Sequence, residues 1–165
     1  MTLKEALLNE FESEVATTRK MLSRAPADKF TWKPHEKSMD LMTLSVHIAD
    51  LPGWIKLAAT TEELDFATVP YEPRPITTTD ELLALFEESV KDGREHLTNM
   101  DPARYSERWV LRTGETIHAD MNRYGLIRVS LSQVIHHRAQ LGVYLRLLNV
   151  PIPGSYGPSA DEMSF

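Results

Sequence analysis

The sequence predicts an all-α fold, a four-helix bundle whose helices are joined by long crossover connections. Four long segments carry apolar residues at the spacing of three and four that marks one face of a helix. Two connections, residues 26–39 and 61–78, contain several prolines and show no clear period. A length of 165 residues with 42% hydrophobic and 25% charged residues indicates one globular domain, residues 1–165.

The first predicted helix begins at Thr2, whose side chain can cap it. Glu5, three residues later, completes the sequence signature of a capping box. Apolar residues then follow the helical period, and the helix is expected to end near Arg24 because Pro26 follows.

The second predicted helix begins at Ser38 or Asp40 and runs to about Thr60. It contains Pro52, which has no N–H to donate to the carbonyl group of Ile48. We therefore expect this helix to be kinked at the proline.

The remaining elements lie in the second half of the chain. Thr79 is predicted to cap the third helix, which ends near Asn99. Residues 106–120 place a glycine-containing turn between two short mixed runs, which indicates a small hairpin or an irregular excursion. The fourth helix runs from about Arg123 to Leu148, because the prolines that follow stop it.

Composition and charge exclude several classes of protein. The chain has no cysteine, which excludes disulfides, zinc–thiolate sites and a cysteine nucleophile. Its net charge of −6, without any basic cluster, argues against nucleic-acid binding. The N-terminus lacks the apolar core of a signal peptide, and no run approaches the roughly 20 apolar residues that span a bilayer. We therefore expect a cytoplasmic protein that binds neither nucleic acid nor membrane.

A lone histidine, His47, lies in a segment with the pattern of a buried helix. At about 100° of turn per residue, several apolar side chains share its side of the helix, within roughly 80°. They are Leu44, Leu51, Trp54, Ile55 and Ala58. The imidazole is therefore expected to point into the protein, where its ring nitrogens need partners. Two alternatives stay open: a metal ion shared with His137, or a hydrogen-bonded structural histidine.

The fourth predicted helix carries an apolar stripe, and His137 lies roughly 65° from the centre of that stripe. Gln133, one turn earlier, lies on the same side at about 105°. His136 lies about 165° away and is expected to face solvent or a partner. Arg138 lies nearer the centre of the stripe, so its guanidinium group must be paired or must extend to water.

These residues resemble the DinB/YfiT-like superfamily of small four-helix proteins, over nearly the whole chain. The matching segments are Trp32–His35, Leu44–Asp50, Ile135–Leu141 and Val150–Gly157. The resemblance implies up-down-down-up threading and frequent dimerisation. It also implies a divalent metal, commonly nickel or zinc, held by one histidine of the second helix and two histidines, four residues apart, of the fourth.

By this resemblance, His47 matches the first ligand position and His137 the last, whereas Gln133 stands where the remaining histidine is expected. A glutamine carbonyl oxygen is a weaker ligand for a transition metal than an imidazole, so metal affinity is expected to fall. Asp50, one turn from His47, is expected to support the site from outside or to substitute as a ligand. Arg138 is a second candidate for a supporting role.

Three functions are compatible with these observations. The first is a metal-dependent transferase or hydrolase that acts on a small molecule in stress response or detoxification; the resemblance implies a low-molecular-weight thiol, such as bacillithiol or mycothiol, as its partner. The second is a non-catalytic stress-related bundle with a degenerate metal site, and the third is a metal-free small-molecule binder.

The resemblance also implies a homodimer, for which His136 and Val143 are candidate contact positions.

Overall fold

The computed structural model describes residues 1–69 and 74–163, so Pro70 and Pro73 of the second predicted connection lie outside the described residues. The described part contains α-helices and a small sheet. The helices are α1 (Leu3–Leu22), α2 (Leu41–Asp50), α3 (Trp54–Thr60), α4 (Thr79–Asn99) and α5 (Arg123–Leu147). The strands are β1 (Glu63–Asp65), β2 (Arg108–Thr113) and β3 (Thr116–Asn122). No helix among the described residues is both long enough and apolar enough to cross a membrane.

The helices begin at the residues that local sequence signals indicate, except that the cap of α4 lies one residue earlier than predicted. In α1, the amide of Glu5 donates to Thr2 Oγ1 over 3.2 Å and the amide of Thr2 donates to Glu5 Oε2 over 2.7 Å, as predicted. In α4 the corresponding box is formed by Thr78 with Glu81, so the prediction that Thr79 caps this helix is wrong. Thr79 Oγ1 instead donates to the Ala25 carbonyl oxygen over 2.9 Å, a tertiary contact that the local pattern does not reveal.

The second predicted helix is interrupted at the predicted proline. A single 3-10 turn, Leu51–Gly53, separates α2 from α3 and contains Pro52. The Leu51 carbonyl oxygen accepts a hydrogen bond from Ser130 Oγ over 2.7 Å. Helix α4 lies so close to this break that a Cβ atom on Gly93 would come within 2.3 Å of the Pro52 carbonyl oxygen. The break therefore allows tight packing that only a glycine tolerates.

The directions of the helices follow from the contacts that join them. Between α1 and α4 the contacting pairs are Glu12–Arg94 and Arg19–Glu87. Between α1 and α5 they are Glu10–Arg128 and Glu14–Arg138. Between the broken helix and α5 they are Leu51–Ser130 and Ala58–Arg123. The order of these contacts makes α1 parallel to α5 and antiparallel to α4. The broken helix α2–α3 is parallel to α4 and antiparallel to α5, so the helices thread up-down-down-up.

The all-α prediction is wrong, because a three-stranded mixed sheet accompanies the helices. Strand β1 pairs in parallel with β2, and β2 pairs antiparallel with β3. The β2–β3 hairpin occupies the region that was predicted as a hairpin or an excursion, and Gly114 adopts a φ of 56° at its turn, where glycine is favoured. Strand β1 is three residues long, too short for an alternating pattern to be recognised, and its partner strand lies far along the chain.

Candidate metal centre

The rings of His47 and His137 are in contact between α2 and α5. Their centroids lie 4.6 Å apart, with the ring planes at 79° to each other. The two residues meet because α2 and α5 run antiparallel and each presents its histidine from the side that faces the other helix. Both residues are half-buried, so the pair lies at the margin of the core and remains accessible.

Burial holds both imidazoles in their neutral form at neutral pH. It lowers the pKa of His47 from 6.5 to about 4, and the charge that His137 would carry adds to this shift. Burial likewise lowers the pKa of His137; the hydrogen bond that His137 Nδ1 donates to Gln140 Oε1 opposes the change, and His136 reinforces it. Because only a neutral imidazole has a free lone pair, both rings are in the state that binds a metal ion.

Gln133 lies on α5, one turn before His137, and is exposed to solvent. It shares an open cavity of about 550 Å³ with His137, His136 and Arg128. Gln133 therefore lines the same cavity as His137, on the exposed side of α5. Whether it is a ligand stays a prediction.

The two candidate supporting residues lie in different surroundings. Asp50 is half-buried on α2. The hydrogen bond to Glu88 raises the pKa of Arg74, and the charge of Asp50 adds a smaller contribution. Arg138 is 2% exposed and faces α1, where its Nη1 lies 2.6 Å from Glu14 Oε2. Its Nη2 donates to the hydroxyl of Tyr156 over 3.0 Å. The guanidinium group of Arg138 is thus paired, which is the first of the two alternatives that its inward position leaves, and its described contacts are not with the histidine pair.

The donor set fits a divalent metal only in part. Among residues 1–69 and 74–163, no group of three or more histidine, aspartate or glutamate side chains is arranged to hold a metal ion. The available donors are two imidazole nitrogens, which suit nickel and zinc, and the amide oxygen of Gln133, which is a weak ligand for these ions. The two histidines therefore offer two strong protein ligands, and a third ligand from Gln133 stays a prediction.

His137 has further neighbours that the sequence pattern did not reveal. The ring also borders a second open cavity of about 420 Å³, which is lined by Ser38, Met39, Gln140 and Tyr144. The Tyr144 hydroxyl donates to the Met39 carbonyl oxygen over 3.1 Å and so fastens the connection before α2 to α5. Gln140 follows His136 by four residues and His137 by three. On a helix this spacing brings side chains together, so it could have indicated Gln140 as a partner of both histidines.

The lowered pKa of His47 predicts a pH-dependent stability. The unfolded chain takes up a proton at His47 as the pH falls below about 6.5, whereas the folded protein does so only near pH 4. Between these values the unfolded state binds more protons, so the free energy of unfolding falls as the pH is lowered, by up to about 3 kcal/mol. Urea unfolding of metal-free protein from pH 7 to pH 4 measures this dependence.

The matched variant His47→Gln removes the titrating ring. Since many carboxylates also titrate near pH 4, the informative quantity is the difference between the wild-type and variant unfolding free energies. We expect the wild-type value minus the variant value to fall as the pH is lowered towards 4, because only the wild type loses stability at His47. A difference that stays constant over the whole range would contradict the prediction.

The fold is shared with solved structures of low sequence identity. A DinB-like protein from Bacillus subtilis has a TM-score of 0.67 and 15% identity, and covers 97% of this chain and 99% of its own. A protein assigned to the DinB family from Exiguobacterium sibiricum has a TM-score of 0.67 and 22% identity, over 90% and 94% of the two chains. A mycothiol-dependent maleylpyruvate isomerase has a TM-score of 0.59 and 16% identity, over 86% of this chain and 61% of its own. At these identities the likeness shows the fold alone.

Sequence comparison adds the family. No curated protein matches this chain significantly. The model of the DinB family, by contrast, matches residues 1–164, which is nearly the full length. On this match, and with the fold it shares with other DinB-like proteins, the chain belongs to the DinB family.

Proposed function

We propose that this protein is a metal-dependent enzyme that acts on a small molecule, with His47 and His137 as its principal metal ligands and Gln133 as a weak third ligand. The observation that carries the proposal is the contact between the two imidazoles, whose centroids are 4.6 Å apart. Burial keeps both rings neutral, which is the form that ligates nickel or zinc. A bound metal would act as a Lewis acid and lower the pKa of a thiol or a water at an open position.

The cavities beside His137 support a small-molecule substrate. Their volumes, about 550 and 420 Å³, lie in the range of small-molecule sites, and both reach the same imidazole. A low-molecular-weight thiol is the co-substrate class we propose, since a solved structure with the same fold is a mycothiol-dependent isomerase. The chain has no cysteine, so a reacting thiol would have to come from the substrate. Hydrolysis is the alternative reaction for the same ligand set.

A metal-free small-molecule binder is the second candidate. The observation that favours it is the incomplete donor set, since no group of three or more histidine, aspartate or glutamate side chains is arranged for a metal within the described ranges.

Assembly as a homodimer also stays a prediction. Val143 is 59% exposed and His136 is exposed, so both candidate contact positions are accessible on α5.

The two candidates are separated by metal binding. Protein purified without an affinity tag is analysed for metal and titrated with Zn²⁺ and Ni²⁺ in a calorimeter. We expect binding at one site that is lost in His47→Ala and in His137→Ala. His118→Ala, which removes an exposed histidine of β3, is the matched control and is expected to bind like the wild type. Equal affinity in all four proteins, or no binding at all, would favour the metal-free binder.

The substitution Gln133→His is expected to raise the affinity for Zn²⁺ and Ni²⁺ at least tenfold, about 1.4 kcal/mol. The reason is that an imidazole nitrogen binds these ions better than an amide oxygen does. Gln133 is exposed and lines the cavity of His137, so the new ring has room. Calorimetric titration of both proteins measures the gain.

Ala139→His is the control for the added histidine. Ala139 is exposed on the same helix but does not line the cavity that contains Gln133. We expect no gain in affinity from this variant. A gain of the same size in both variants, or in neither, would mean that position 133 is not a ligand position.

A further inference from the structure

Gln140 bridges the two adjacent histidines of α5. Its Oε1 lies 3.1 Å from His137 Nδ1, and its Nε2 lies 3.0 Å from His136 Nε2. Gln140 follows His136 by four positions and His137 by three, so its side chain lies one turn beyond both rings and within reach of each. Gln140 also lines the second cavity beside His137, so this bridge forms part of the wall of the candidate site.

The chemistry of the amide determines where the protons on both rings lie. With its oxygen facing His137, the Gln140 amide can only accept from this ring, so in this orientation His137 carries its proton on Nδ1. An amide NH₂ only donates, so His136 Nε2 must be unprotonated and this ring, when neutral, carries its proton on Nδ1. Free neutral imidazole side chains in water favour the proton on Nε2, so both rings are held in their less common form.

The lone pair of His137 then lies on Nε2. Within the described residues, no hydrogen bond involves this nitrogen, and the ring contacts that of His47. A histidine ligand generally donates its other N–H to an oxygen acceptor, which fixes the tautomer and the ring orientation. Gln140 Oε1 is such an acceptor for His137.

We propose that Gln140 is a positioning residue, which fixes His137 as the Nδ1–H tautomer and so keeps Nε2 available to a metal ion or substrate. His136 supports this role, because its unprotonated Nε2 accepts from the Gln140 amide and thereby orients the carbonyl oxygen towards His137. The role of this tautomer towards a metal ion or substrate rests on the proposed function. The tautomer itself is a property of the metal-free protein and can be measured there.

The tautomers can be read directly by NMR. Long-range ¹H–¹⁵N correlation spectra of histidine-labelled, metal-free protein at pH 8, above the ordinary histidine pKa of about 6.5, distinguish a protonated from an unprotonated ring nitrogen. We expect His137 and His136 to show protonated Nδ1 and unprotonated Nε2. The signals are assigned by their loss in His136→Ala and His137→Ala.

Two substitutions of Gln140 separate the halves of the bridge. Gln140→Leu removes both hydrogen bonds, and we expect both rings to return to the common Nε2–H form. Gln140→Glu keeps an acceptor for His137 but loses the donor to His136, so we expect His137 to keep its tautomer while His136 changes. Ala139→Leu, which adds the same side chain at an exposed neighbouring position, is the control and is expected to leave both tautomers unchanged.

Zn²⁺ titration of the same variants tests the consequence. Loss of such a supporting partner typically costs about 10- to 100-fold in metal affinity. We expect a loss of at least tenfold in Gln140→Leu and little loss in Gln140→Glu. A wild-type His137 with its proton on Nε2, or an unchanged tautomer in Gln140→Leu, would overturn the inference even if metal binds. The expected tautomers without metal binding would instead contradict the proposed function and leave the inference standing.

Discussion

Substitution of Arg138 by methionine is expected to lower the free energy of unfolding by about 3–5 kcal/mol. The guanidinium group is 2% exposed and lies 2.6 Å from Glu14 Oε2, and the side chain of Glu14 is itself only 7% exposed. Removing one partner of a buried ion pair leaves the other charge buried without compensation, which is the source of the large cost. Urea unfolding at pH 7 measures it.

The loss extends beyond the ion pair. Arg138 also donates to Thr18 Oγ1 over 3.0 Å and to the Tyr156 hydroxyl over 3.0 Å. The Tyr156 hydroxyl in turn donates to Glu14 Oε1 over 2.8 Å. Because this network joins α5, α1 and the segment after α5, we expect the segment around Tyr156 to become more susceptible to proteolysis in the variant.

Arg128→Met is a matched control for this prediction. Arg128 lies on the same helix and pairs with Glu10 on α1, but both side chains are about one-third exposed. An ion pair in such surroundings contributes at most about 1 kcal/mol. In Arg138→Met combined with Glu14→Gln, part of the lost stability is expected to return, because the isolated charge is removed. Equal costs for Arg128→Met and Arg138→Met would contradict the argument from burial.

Substitution of Trp109 by alanine is expected to cost about 3–5 kcal/mol of stability. Trp109 lies on β2, is fully buried at 0% exposure, and fills the space between the sheet and the helices. Its indole N–H donates to Thr61 Oγ1 over 3.0 Å, and Thr61 Oγ1 donates to the Leu57 carbonyl oxygen over 2.8 Å. The indole thus fastens β2 to the end of α3, and an alanine would leave a large cavity there.

Two further variants test the origin of this effect. Thr61→Val leaves the indole N–H without its acceptor, which is expected to cost about 1–3 kcal/mol. Ile117→Ala removes a side chain of β3 that is 55% exposed and is expected to change stability by less than about 0.5 kcal/mol. Thermal unfolding of the three variants gives the comparison. If Trp109→Ala costs no more than Ile117→Ala, the sheet does not depend on this anchor.

The starts of α1 and α2 could be predicted because their causes are local. The capping box of Thr2 and Glu5 involves residues three positions apart, and Asp40 caps α2 through the amide of Thr43. The missing N–H of Pro52 interrupts a helix whatever surrounds it. The same reasoning placed His47 and His137 on inward sides of their helices, since the helical period is a local property. Metal binding by these residues stays a prediction.

The sheet, and the partners of the inward residues, were decided only by the tertiary structure. Residues 63–65 become a strand because residues 110–112 lie beside them, and nothing within three residues indicates it. The sequence required that Arg138 be paired or extend to water, but only the packing of α1 against α5 supplies Glu14. In the same way, the meeting of His47 with His137 depends on α2 and α5 running antiparallel. Such contacts join residues far apart along the chain, so their energies depend on the arrangement of the whole fold, which no local pattern contains.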